Sequence, residues 1–187
     1  EVTNTPPLRE KHRMVWTNEG PVVFGGSRSS STYYNDLWLF SENNWEQIKP
    51  ESNATSLWPS SRDEMAMASN YDGSKIFMFG GKGTGNNSKS LGDTWVFTMS
   101  TKTWEKISTT PDKHFYDVSN ARLAYLYNNS FVLMGGYLDD QFKRDPYVFD
   151  LNTKQFHPNM QIYIRPPALK KHASGEVVGT SCALIHV

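Results

Sequence analysis

Three glycine pairs, Gly25-Gly26, Gly80-Gly81 and Gly135-Gly136, recur twice at the same interval of 55 residues. So regular and long a spacing marks repeated structural units rather than one irregular domain. Each pair closes a short apolar run: Val22-Val23-Phe24, Ile76-Phe77-Met78-Phe79 and Phe131-Val132-Leu133-Met134. Runs of that length, rich in β-branched and aromatic residues and ending at glycine, predict buried strands. After each pair comes an aspartate followed by apolar and aromatic residues: Asp36-Leu37-Trp38-Leu39-Phe40, Asp93-Thr94-Trp95-Val96-Phe97 and Asp145-Pro146-Tyr147-Val148-Phe149. A further aromatic follows in each unit at Trp45, Trp104 and Phe156.

Glycine pair, aspartate-x-aromatic and second aromatic, repeated in register, resemble the kelch repeat. The resemblance implies an all-β fold, a kelch-type β-propeller in which each unit forms one four-stranded blade. The expected units run over about 8–49, 62–108 and 120–158, with an incomplete fourth over 170–187. At 187 residues the chain holds about three such units and the start of another. It is therefore expected to be part of a larger propeller, closed by remaining blades or by another chain. Asn18-Glu19-Gly20, Asp72-Gly73 and Asn128-Asn129-Ser130 read as tight turns between the first two strands of each unit. The glycine-led connections and the links between units, 49–61, 108–120 and 158–170, should then emerge together on one face.

Composition excludes several classes of function. The 19 basic and 19 acidic residues balance, so no net field draws nucleic acid or an anionic membrane. No apolar stretch reaches the roughly 18 to 20 residues of a membrane span. Cys182 is the single cysteine, which rules out an internal disulfide and a thiolate metal cluster. Gly80-Gly81-Lys82-Gly83-Thr84-Gly85 lacks the Gly-Lys-Ser/Thr ending and the following helix of a phosphate loop. The five histidines show no ligand spacing, and neither a nucleophile elbow nor a paired acid and base stands out. The expectation is a non-catalytic module with no cofactor and no metal.

What remains is binding of a protein partner by the loop face. The resemblance implies that arginines opening the first strand of a unit grip acidic segments of partners. Arg9 and Arg62 match that position; Arg122 matches it without the preceding proline. Arginine so placed is either a partner-binding fork or one paired inside the fold. Tyr34, Trp58 and Tyr116 add aromatic hot-spot candidates in the same loops. Asp36, Asp93 and Asp145 read as turn or backbone hydrogen-bond acceptors. Sequons at Asn53, Asn86 and Asn128 carry potential glycans in loops. With the likeness to attractin-like and galactose-oxidase-type kelch repeats, they suggest a secreted or cell-surface protein. The alternatives are an intracellular kelch adaptor or scaffold, or a fragment of a kelch-fold metalloenzyme.

Overall fold

The structure, a computed structural model, describes residues 4–50, 57–83, 90–107, 118–126, 129–138, 141–142 and 146–158. Among them are seventeen strands and no helix. The first sheet takes β1 (Arg13–Thr17) and β2 (Gly20–Phe24). After a small hairpin of β3 (Ser27–Ser29) and β4 (Thr32–Tyr33), it resumes with β5 (Leu37–Ser41) and β6 (Asn44–Ile48). The second has β7 (Arg62–Asp63), β8 (Ala66–Ser69), β9 (Lys75–Gly83), β10 (Ser90–Thr98) and β11 (Thr103–Ile107). The third has β12 (Arg122–Tyr125) and β13 (Ser130–Met134), then the hairpin β14 (Tyr137–Leu138) and β15 (Gln141–Phe142), then β16 (Tyr147–Asp150) and β17 (Gln155–Pro158).

Every pairing is antiparallel between chain neighbours, in the orders β1-β2-β5-β6, β8-β9-β10-β11 and β12-β13-β16-β17, with β7 on the far end of β9. These are the up-and-down blades of a kelch-type propeller. The fourth unit expected over 170–187 lies outside the described residues. Turn chemistry fixes the register within each blade. Between β5 and β6 only Glu42 and Asn43 intervene, at φ 50° and 61°, the doubly left-handed loop whose twist suits a hairpin.

Alternation along the strands gives each blade two apolar faces. Val22, Phe24, Leu37 and Leu39 of the first blade meet Met67, Met78, Trp95, Phe97 and Trp104 of the second in one core. The second blade turns Ala66, Ala68, Phe77, Phe79 and Val96 towards Leu123, Phe131, Leu133 and Phe149 of the third. Rings knit both interfaces: Phe24 meets Trp104 edge-on at 5.3 Å, and Phe77 stacks on Phe131 and Phe149 at 4.9 and 4.5 Å. The innermost strands β1, β8 and β12 stand side by side along a central channel.

The glycine pairs have a steric reason. Gly80 and Gly81 sit at φ 63° and 100°, and a Cβ on them would lie 2.4 Å from the Val118 carbonyl oxygen and 2.6 Å from that of Asp63. The chain opening a blade thus passes directly over the doublet, which only glycine allows. The Gly26 N–H donates to the Arg62 carbonyl at 2.8 Å and the Gly81 N–H to the Val118 carbonyl at 3.0 Å. A second relay crosses the channel mouth through three left-handed residues: Glu64 N–H donates to the Lys11 carbonyl at 3.1 Å, and Asn120 N–H to the Glu64 carbonyl at 2.9 Å.

Candidate functional site

The loop-side end of the blades holds the arginines singled out in the sequence, but two of them face inward. Arg62 is wholly buried and uses all five N–H donors. Its Nη1 and Nη2 clasp the Asp93 carboxylate at 2.5 and 2.8 Å, and the rest go to Ser60 O, Ser60 Oγ and Gly80 O. Arg9, 4% exposed at its side chain, clasps Asp36 in the same way at 2.6 and 2.7 Å, donates to Gly25 O and lies 4.5 Å over the Tyr34 ring. Each aspartate also accepts the indole N–H of the tryptophan two residues on, Trp38 or Trp95, at 2.6 Å. Burial pushes both carboxyls up, but the guanidinium and indole hydrogen bonds together with the arginine charge outweigh it and hold them below their usual range. Arginine, aspartate and tryptophan are thus one inter-strand clamp repeated in two blades. Of the two readings of Arg9 and Arg62, a partner-binding fork or an arginine paired inside the fold, both residues take the second, and Asp36 and Asp93, expected as turn or backbone acceptors, accept side-chain donors instead.

Arg122 is a different position altogether. Its blade places Val118 where Arg62 stands, since both carbonyls receive the preceding blade's glycine N–H. Arg122 corresponds instead to Arg13: each opens the innermost strand, and each turns Nη1 back on the preceding carbonyl, His12 O or Ala121 O, at 3.2 Å. Between them they make the cationic element of the channel mouth. Arg13 Nε and Nη2 are buried with no hydrogen-bond partner among the described residues. Burial, then the like charge of Arg122, brings Arg13 down to about 10, and burial lowers Arg122 as well. A buried guanidinium with two donors to spare and a second guanidinium close enough to lower it form a site short of an anion.

Of the acidic groups of the mouth, Glu64 is fully engaged and Asp63 only in part. Glu64 receives Lys11 at 3.0 Å, Lys82 at 3.2 Å and the Asn120 amide at 2.8 Å, which overcome burial and hold it below the usual range. Lys11 is raised, its hydrogen bond to Glu64 outweighing burial. Asp63 takes Ser27 Oγ at 2.8 Å on one oxygen, leaves the other buried without a partner, and is pushed up by burial. Burial, and after it Arg9 and Arg13, lower His12 and keep its ring neutral at pH 7.

The aromatic candidates divide. Tyr34 lies under Arg9, and its carbonyl accepts the Arg62 N–H at 3.0 Å. Trp58 donates to Asn35 O at 2.7 Å and packs against Trp104. Both brace the fold rather than stand free. Tyr116 and the sequon asparagines 53, 86 and 128 lie outside the described residues. Among the described residues no three His, Cys, Asp or Glu side chains converge as metal ligands would. Arg13 escaped the sequence reading although the signal was present. Counted back from the doublets, Arg9 and Arg62 stand 16 and 18 residues upstream, whereas Arg13 and Arg122 stand 12 and 13.

Comparison with known proteins agrees with this architecture. The dynein alpha chain of the flagellar outer arm of Chlamydomonas reinhardtii is 27% identical over 183 residues, covering 90% of this chain. The chain spans only 4% of that relative's length. Residues 1–185 match the KLHDC2/KLHL20/DRC7 Kelch-repeats domain. Kelch-repeat domains are generally protein-interaction modules. With glycine doublets under the next blade's opening strand, and the match running almost end to end, the chain belongs to the kelch-repeat family.

Proposed function

We propose that this chain is a non-catalytic protein-binding module whose channel mouth grips an acidic segment of its partner through Arg13 and Arg122. The supporting observation is the pair of buried Arg13 donors with no partner among the described residues, beside a second guanidinium, while the neighbouring Glu64 is neutralised by Lys11 and Lys82. A carboxylate entering there finds a fork already desolvated and held, so little ordering opposes binding. Of the two compartments left open by the sequence, the flagellar relative favours an intracellular adaptor or scaffold. Extracellular signal from the tagged full-length protein would overturn that choice.

Titration calorimetry with an acetylated, amidated peptide of alternating glutamate and glycine tests the site. Arg13→Gln and Arg122→Gln should each weaken binding at least tenfold, and Arg28→Gln, on the exposed β3 hairpin, should leave it unchanged. Equal loss in all three would mean non-specific attraction and refute the site. Ring closure belongs to the same proposal. Met14 is 62% exposed where its counterparts Met67 and Leu123 are buried under a neighbouring blade, so a further sheet is required to cover that side.

A further inference from the structure

The opposite, turn-side end of the channel holds a cavity of about 550 Å³ lined by the three innermost strands and the β8–β9 turn. Its character is the reverse of the mouth. No lysine or arginine lines it; Trp16, Tyr71 and Tyr125 do, together with Asp72. Trp16 and Tyr71 are 73% and 81% exposed, and with Met14 they account for three of the five large apolar side chains exposed among the described residues. Trp16, Ser69 and Tyr125 are counterparts on successive inner strands. Ser69 and Tyr125 line the cavity and stay partly exposed although a blade covers each, Tyr125 while also packing against the core of the second and third blades. The small Ser69 between two aromatics leaves a recess. Asp72 has no cationic partner among the described residues, and hydrogen bonds from Ser74 hold it below the usual carboxylate range.

We infer that this recess is a second binding site, which takes a lysine or arginine side chain of a protein segment lying in the channel. Electron-rich ring faces attract an organic cation, a nearby carboxylate adds charge complementarity, and no like charge opposes it. Five residues of β1 separate the two ends, about 13 Å at the usual strand rise. An extended segment with its acidic residue at Arg13 therefore brings its basic residue to Trp16 about three positions later, an extension that rests on the function proposed above.

The test uses probes without acidic residues, so that it stands apart from the mouth: acetylated, amidated heptaglycines with a central arginine, alanine or glutamine. Iodide quenching of the most open indole is the readout, with Trp16→Phe as its baseline. The arginine peptide should shield Trp16 and bind about 3- to 10-fold tighter than the alanine one, and the glutamine peptide should bind no tighter than the alanine one. Asp72→Asn should shrink the preference to within twofold; Arg13→Gln should leave it intact. Equal affinity for arginine and alanine peptides would overturn the site. So would a Trp16 inaccessible to iodide in the free full-length protein, which would mean that another sheet already covers it. Loss of acidic-peptide binding with shielding retained would count against the mouth alone.

Discussion

At the scale of single residues, the Arg62–Asp93 clamp explains how a wholly buried guanidinium is held against a largely buried carboxylate. Neither partner is stable there alone, so Arg62→Ala strands a buried carboxylate and should cost about 3–5 kcal/mol. Urea unfolding would measure it. Replacing both with apolar residues of similar volume should recover much of that loss. The clamp also sets an acid limit. Because Asp36 and Asp93 titrate below their unfolded values, the unfolded chain binds more protons as pH falls. Their contribution is complete above the unfolded carboxylate range, near 4, and drains away as pH drops through the folded values. Thermal melting between pH 5 and 2 should fall steeply in the parent protein, and less steeply in Asp93→Asn.

At the scale of elements, packing and backbone shape make separable demands. Phe77 stacks between two rings of the next blade, and Phe77→Ala should destabilise by about 3–5 kcal/mol. Gly81→Ala removes no contact, yet it should cost on the order of 1–3 kcal/mol, because φ 100° and the Asp63 carbonyl leave no room for a methyl group. Denaturant midpoints would rank the two. These elements were legible in the sequence because each rests on a local signal: glycine doublets, alternating apolar runs, turn residues. The clamp was less so. Its members were all noticed, but Arg62 and Asp93 are 31 positions apart, and nothing local says that a strand-opening arginine bends inward to an aspartate beyond the doublet. Arg122 was misplaced for a related reason. Its place at the opening of a unit's first strand suggested equivalence with Arg9 and Arg62, whereas the hydrogen-bond ladder, which decides burial, aligns on the glycines.

At the scale of the whole molecule, the channel is charged unevenly from end to end: guanidiniums and ammoniums at the mouth, rings and a carboxylate at the turns. If the mouth captures acidic segments, the affinity should fall several-fold between 50 and 300 mM salt as the Debye length shrinks, and a calorimetric salt series would show it. How the blades are tied together is just as uneven. At the mouth, main-chain hydrogen bonds cross each junction, through Arg62 and Glu64 at the first and Val118 and Asn120 at the second. Among the described residues, the turn-side end has one such bond, Asn18 to Gly73, and the surface pairs Glu19–Lys102 and Glu105–Lys154. The arc therefore behaves as a hand fan riveted at one rim. Bending strain spreads the ribs at the loose edge while the rivet stays shut, so breathing of the propeller widens the aromatic recess and leaves the spacing of the arginines unchanged.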